Sequence, residues 1–448
     1  MPLTRRAFVR NVSLASAGLA LTRQGYTKSS APSFSGGVAR LGFIGVGLRG
    51  ETHLAAALRR SDVEVLAICD IDEGMLQRSK DIVNRSGKPV PKIFTGSDYA
   101  YRDLLQVKGL DGVIIATPWE WHAPMVLDSL AAGLKYVATE VILGITMEEI
   151  EQVVQAAEAH DASVMMLENV CYRRDVMAAL NMVRQGVFGE LLHLQAGYQH
   201  DLRGVLLNPG AEFGPKGFSE AKWRTNHCVH RNGDLYPTHG IGPVAMMIDI
   251  NRGNRFMSLS SFATKTRGLH NYIVAKGGPD HPNAKVLFEL GDIVTTHLKC
   301  ANGETVILQH DTCNPRPYSL GFRVQGTSGL WMDVAQGVYI EGVSKEEDWD
   351  PAADWFKKYD HPLWQRWSAS AEGAGHGGMD FFVLHAFIES IKRGVPTPMD
   401  VYDAAAWTAI SPLSEASVQL GGEPVPFPDF TGGKWMLRSN TFATGNEF

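Results

Sequence analysis

From Val38 to about Leu167 the chain alternates short apolar runs with longer stretches of mixed character. The runs Leu41–Ile44, Val63–Cys69, Gly112–Ala116, Tyr136–Thr139 and Ser163–Leu167 read as strands, and segments such as Glu51–Arg60 and Met147–His160 read as helices between them. That alternation predicts a parallel, doubly wound sheet. Gly133-Leu134-Lys135 supplies a helix stop before the strand at Tyr136. Beyond Arg174 the pattern changes. A helix over Asp175–Gln185 leads to Gly186–Glu190, followed by the β-rich runs Leu191–Ala196, Met257–Thr264, Lys285–Leu290, Ile293–Cys300, Thr305–His310 and Phe322–Gly326. Asn302-Gly303 reads as a two-residue hairpin turn between two of these runs. The expected architecture is α/β: a Rossmann domain over residues 36–170, then an α+β domain over residues 171–448. The second domain should hold a large, mainly antiparallel sheet with one face covered by helices. A helix over Met379–Arg393 and a proline-rich tail close the chain.

The turn after the first strand carries the first chemistry. Gly45-Val46-Gly47-Leu48-Arg49-Gly50 is a G-x-G-x-x-G run between a strand and a helix, and Asp70 ends the second strand about 20 residues later. Gly45 makes the tight turn, Gly47 lets the backbone approach a pyrophosphate, and Gly50 lets the helix pack closely on the strand. The pyrophosphate would sit on the helix N-terminus, where free N–H groups and the dipole favour an anion. Asp70 suits a ribose 2′-hydroxyl and repels a 2′-phosphate, so NAD is expected rather than NADP.

Composition narrows the function classes. The chain has 448 residues, 44% hydrophobic and 20% charged, as expected for a globular protein of two or three domains. A net charge of −6 gives no basic footprint for nucleic acid. The 5 cysteines are odd in number and lack C-x-x-C spacing, which points to neither a disulfide scaffold nor a zinc site. His227, Cys228 and His230 have ligand-type side chains but read as a solvated loop, and no metal is expected. Thr4-Arg5-Arg6-Ala7-Phe8-Val9-Arg10 before a short, small-residue apolar run to Leu21 resembles a twin-arginine export signal within residues 1–35. That implies a periplasmic or secreted protein. No stretch approaches the roughly 18 apolar residues of a membrane span. A homo-oligomer is left open.

In an open parallel sheet, ligands bind beyond the C-terminal strand ends. Those ends carry Asp70 and Asp72, Thr117-Pro118-Trp119-Glu120-Trp121-His122, Thr139-Glu140-Val141, and Glu168-Asn169-Val170-Cys171-Tyr172. Asp72 and Glu73 read as a helix start. His122 either caps the helix that follows it or touches the cofactor. This ordered set resembles the glucose-fructose oxidoreductase and inositol dehydrogenase superfamily, with Val141 standing where those dehydrogenases have a catalytic lysine.

A narrower resemblance rests on Glu140-Val141, Met166-Leu167-Glu168-Asn169 with Tyr172, Trp223-Arg224-Thr225, Asp234-Leu235-Tyr236-Pro237-Thr238-His239-Gly240, Arg252-Gly253, and Gly375-His376-Gly377-Gly378-Met379-Asp380. Together these resemble glycoside hydrolase family 109, the NAD-dependent α-N-acetylgalactosaminidases, although Asp234 replaces that family's asparagine. The resemblance implies NAD contacts at Leu48, Arg49, Asp70, Trp119 to His122, Glu140, Val141 and Asn169. It implies sugar contacts at Tyr198, Arg224, Tyr236, His239 and Tyr318. His239 falls where the dehydrogenases place their catalytic histidine, and Tyr236, Glu140 and Tyr172 are further catalytic candidates. His376, among glycines, reads as part of a loop lining the site. Three readings then compete: a glycosidase using NAD transiently, a net sugar or polyol oxidoreductase, and a carbohydrate-binding protein with a vestigial nucleotide fold. The intact glycines and Asp70 disfavour the third, and Val141 disfavours the second.

Overall fold

A computed structural model of the chain describes residues 37–448. The export-signal reading falls on residues outside these. Six parallel strands form the first sheet: β1 (Ala39–Ile44), β2 (Val63–Cys69), β3 (Lys92–Phe94), β4 (Gly112–Ile115), β5 (Tyr136–Thr139) and β6 (Ser163–Met166), in the order β3-β2-β1-β4-β5-β6. The order reverses between β1 and β4. A ligand crevice therefore opens where Gly45 and Thr117 follow those two strands. β3, three residues long and half-exposed, is too short to stand out in the sequence.

The second sheet has nine strands: β7 (Leu191–Gln199), β8 (Phe256–Ala263), β9 (Val294–Cys300), β10 (Thr305–Asp311), β11 (Arg323–Gly326), β12 (Gly329–Met332), β13 (Gly337–Ile340), β14 (Asp350–Pro351) and β15 (Val425–Pro426). Their order is β14-β13-β12-β11-β7-β10-β9-β8-β15, antiparallel throughout except for the parallel pair β7 and β10. Burial alternates along the inner strands, as in β9, where Val294, Thr296, Leu298 and Cys300 face inward.

Four local expectations need correction. Lys285–Leu290 is not a strand: it follows the 3-10 turn Pro282–Lys285, and the N–H groups of Glu289 and Leu290 donate to the carbonyls of Val229 and Cys228. Its backbone is thus satisfied by the end of the helix Arg224–His230 rather than by a sheet neighbour. The connection at Asn302-Gly303 is longer than two residues. The Cys300 N–H pairs with the Glu304 carbonyl, the Gly303 N–H closes a turn onto Cys300, and Gly303 takes φ 106°. The tail is also more than proline-rich loop. It contains the helices Val401–Thr408 and Ile410–Gln419, the first started by a capping box in which Asp400 accepts from Tyr402 and Asp403 N–H while Asp403 accepts from Asp400 N–H. Finally, His227, Cys228 and His230 lie on a short helix, not in a loop.

Candidate functional site

Contacts at the crevice require two of the three fingerprint glycines, Gly45 and Gly50. Gly45 has φ 83°, and a Cβ there would stand 2.7 Å from the Ala116 backbone, so the turn after β1 passes tightly over the end of β4. A Cβ on Gly50 would come within 2.0 Å of the Gly45 carbonyl oxygen, which is why the helix Leu48–Leu58 can press on the strand. Gly47 precedes that helix with no side-chain cap and with no atom within 4 Å of a Cβ position, leaving open space over the first free N–H groups. Asp70 accepts from Val46 N–H at 2.7 Å and Asp72 N–H at 2.9 Å. A carboxylate offers about four acceptor positions, so hydroxyls can still be received. Burial raises the Asp70 pKa, against these N–H bonds. Dinucleotide and fold therefore fit: Gly47 and the helix start would hold the pyrophosphate, and Asp70 a ribose. Asp70→Ala is expected to release nucleotide from the purified protein, measured as NAD recovered after denaturation; unchanged NAD content would remove Asp70 from the binding site.

The same cavity runs from this cradle past Trp119, Trp121, Glu140 and Val141 to Arg224 and Tyr236. Lys222 bridges to Asp72 at 3.0 Å across its mouth. Asp72 itself caps the helix Glu73–Ser86 through Gly74 and Met75 N–H, as its position suggested. Leu48 lies exposed at the first turn of its helix.

Beyond the cradle the walls are aromatic. Tyr198 stands 4.6 Å from Tyr236 and 5.3 Å from His239, ring to ring, and Tyr236 stands 4.9 Å from His239. Trp119 lies 5.9 Å from Tyr236, and the Arg224 guanidinium sits 5.1 Å and 4.9 Å over these two rings. Glu220 pairs with Arg224 at 2.6 Å. Tyr318, about half-exposed, lies 6.3 Å from Tyr198, ring to ring.

His239 is placed by two neighbouring glycines. On the helix Thr238–Met247, a Cβ at Gly240 would lie 2.7 Å from Gly197 N on β7, and one at Gly242 would lie 3.0 Å from both Glu168 Cγ and Cys171 Sγ. The helix is therefore wedged between β7 and the segment after β6. His239 Nδ1 then lies 2.7 Å and 2.9 Å from the two oxygens of the fully buried Glu168 carboxylate. A carboxylate only accepts, so Nδ1 carries a proton, and Nε2 is the ring nitrogen left to act as a base.

A second network lies under the cavity. Arg49 reaches Glu140 at 2.9 Å and forks onto Asp380 at 3.1 Å and 3.2 Å. His53 Nε2 is 2.6 Å from Glu140, His376 Nδ1 is 2.7 Å from Asp380, and the Asn169 amide donates to Asp380 at 2.7 Å. Burial alone would raise Glu140; the Arg49 charge and the His53 bond outweigh it and hold the pKa at about 2. Asp380 is likewise held well below the usual range by His376 and Arg49 in spite of its burial.

One candidate differs from expectation. Tyr172 is not brought to the cavity. It is 1% exposed, its ring packs on Phe382 and Phe442, and its hydroxyl has no partner among the described residues. Burial raises its pKa, so it is a core aromatic rather than a base. Of the two readings of His122, the helix cap does not hold, because Pro118 takes that place, while the residue is among those lining the cavity. Its two ring nitrogens face the carbonyls of Ile142 and Thr117 at 2.5 Å and 2.8 Å; burial lowers its pKa, and the neutral ring has one N–H to donate to one of these two strand-end loops. Glu168, Asp380, His53 and Glu220 were given no role from sequence. Glu168 stands at a strand end, where one could have been sought; the other three become visible only through contacts made across the fold.

Residues 172–437 match the family "Glycosyl hydrolase 109, C-terminal domain", and residues 39–168 match "Oxidoreductase family, NAD-binding Rossmann fold". The chain belongs to glycoside hydrolase family 109. Family 109 relatives include a protein of Stenotrophomonas maltophilia, 56% identical over 91% of this chain and 92% of its own. Another, from Tannerella forsythia, is named alpha-N-acetylgalactosaminidase and is 50% identical over 99% of this chain and all of its own. Among solved structures, levoglucosan dehydrogenase in complex with NADH and levoglucosan shares the fold, with a TM-score of 0.65 at 19% identity, over 87% of this chain and 100% of that one. An NAD binding oxidoreductase from Klebsiella pneumoniae superposes with a TM-score of 0.67 at 16% identity, over 88% and 100% of the two chains. Within this shared fold, the family 109 chain has Val141 lining the cavity beside Glu140.

Proposed function

We propose that this family 109 enzyme is an α-N-acetylgalactosaminidase that keeps NAD bound through its catalytic cycle. One observation carries the reading: the dinucleotide cradle and the aromatic box of Trp119, Arg224 and Tyr236 open onto one cavity, which Val141 rather than a lysine lines. The Tannerella forsythia relative's name supplies the sugar. Gly47, the helix start and Asp70 would hold the cofactor. Bound NAD would supply a reversible hydride acceptor for C3 of the sugar.

The chain's own residues handle the protons. His239 Nε2, oriented by Glu168, takes the proton of the C3 hydroxyl. With C3 a ketone, C2–H becomes acidic, and Tyr198, packed 4.6 Å from Tyr236, removes it. Tyr198 has Arg224 and His200 at its hydroxyl. The group on C1, now beta to the carbonyl, leaves by elimination; water then adds at C1, C2 regains a proton, and the hydride held by bound NAD would return to C3, restoring the sugar's oxidation level. This route needs no carboxylate pair, in keeping with NAD-dependent glycosidases standing outside the two-carboxylate scheme. Turnover of an aryl α-N-acetylgalactosaminide in D₂O is expected to place deuterium at C2 of the released sugar, without net NADH. Full retention of the C2 hydrogen would overturn the redox route, and stoichiometric NADH would favour a net oxidoreductase.

The segment Thr4–Arg10 supports a further reading, export by the twin-arginine route. That route carries folded proteins, so NAD would be loaded before export and regenerated within each turnover.

A further inference from the structure

Tyr198 lies near the end of β7 and His200 two residues later, so strand alternation sends both side chains to the same side. Tyr198 Oη is 3.1 Å from His200 Nδ1, with the rings edge-on at 5.7 Å. The His200 backbone N–H donates to the Asp311 carbonyl at 2.9 Å, fixing the residue just past the strand. A buried phenol is a reluctant base. Burial raises the Tyr198 pKa, and the Arg224 charge opposes that only in part. To receive a proton from carbon, the phenol must pass its own proton on. The nearby imidazole suits that task, because burial and the Arg224 charge lower its pKa and leave it neutral. The charged and titratable groups facing His200 are Arg224, Asp201, His239 and Glu220, together with the hydroxyl of Tyr198 and the ring of Tyr318 at 4.9 Å.

We propose that His200 is the proton acceptor behind Tyr198. As the C2–H bond breaks, its electron pair moves toward the C3 carbonyl and its proton bonds to Tyr198 Oη. The former Tyr198 O–H bond breaks at the same time, and that proton bonds to His200 Nδ1. Tyr198 stays neutral, and His200 carries the positive charge until the proton is returned. His200 thus acts through Tyr198, as a positioning and relay residue that never touches the sugar. The inference rests on the redox-elimination reading above, and it explains how a buried tyrosine works at neutral pH.

The test compares His200→Asn, Tyr198→Phe and the double variant. Substrates are an aryl α-N-acetylgalactosaminide and its 3-keto form, which enters after the redox step. His200→Asn is expected to lose about 10² in elimination rate at neutral pH, a loss that shrinks only as pH approaches the raised pKa of Tyr198, where the phenol ionises unaided. In the Tyr198→Phe background it should add no further loss. In the protein without substrate, the His200 ring signals in NMR should shift on Tyr198→Phe, a readout that stands even if His200→Asn fails to fold. Overlapping pH profiles for wild type and His200→Asn, additive losses in the double variant, or unchanged ring signals would overturn the relay. If wild type instead retains its C2 hydrogen in D₂O, the redox reading itself fails, which is a distinct outcome.

Discussion

His239→Ala is expected to cut glycoside turnover by about 10² to 10⁴, the usual contribution of a lost general base, while the purified protein still carries NAD. The expectation follows from geometry. Nδ1 is committed to both oxygens of Glu168, so the ring can offer only Nε2 to a sugar hydroxyl. Glu168→Gln should show part of the same loss, because an amide can present its N–H₂ to Nδ1 and favour the wrong tautomer. The buried carboxylate would also be gone, and with it the charge that steadies an imidazolium. Tyr236→Phe keeps the ring that packs against Tyr198, Trp119 and His239, so its loss reports the hydroxyl alone. Steady-state rates and NAD content, measured on the same preparations, check the set. Wild-type rates in His239→Ala would remove this histidine from the mechanism.

Much of this site could be read along the chain because its chemistry is local. The tight turn at Gly45, the close packing at Gly50 and the acid at Asp70 fall within one strand–helix–strand unit, where spacing alone fixes relative position. The five residues that the family resemblance assigns to the sugar, Tyr198, Arg224, Tyr236, His239 and Tyr318, do lie in one cluster. What escaped the sequence depends on chain segments that meet only in the fold. Glu168 and His239 are 71 positions apart, and Arg49 and Asp380 are 331 apart. No periodicity links such pairs. Tyr172 failed for the opposite reason: it sits next to a strand end in sequence, but the 3-10 turn Asn169–Tyr172 aims its ring into the core. His200 had a readable signal, the two-residue step from Tyr198, but a strand end carries many such pairs and only the contact at Tyr198 Oη singles it out.

Arg49→Ala is expected to be the most damaging change to stability. It leaves Glu140 and Asp380, both buried, without their shared cation. Removing one partner of a buried ion pair costs about 3–5 kcal/mol, because the desolvated charge left behind is uncompensated. Denaturant unfolding of nucleotide-free protein separates this from lost NAD binding. The pH dependence distinguishes a charge effect from lost packing. In the wild type, the folded-state pKa of Glu140 is depressed from the ordinary 4.5 to about 2. Its contribution is therefore fully present above the ordinary value and is lost as pH falls through that value toward about 2. In Arg49→Ala the depression is largely gone and burial favours the neutral acid, so the variant gives up less stability on acidification than the wild type does. The gap between the two should be widest at neutral pH and should narrow in acid. Arg49→Lys should fall between them, since a single ammonium keeps the charge but cannot fork onto Asp380 while holding Glu140. A gap of constant size across this range would assign the loss to packing of the Arg49 side chain instead of to the charges it joins.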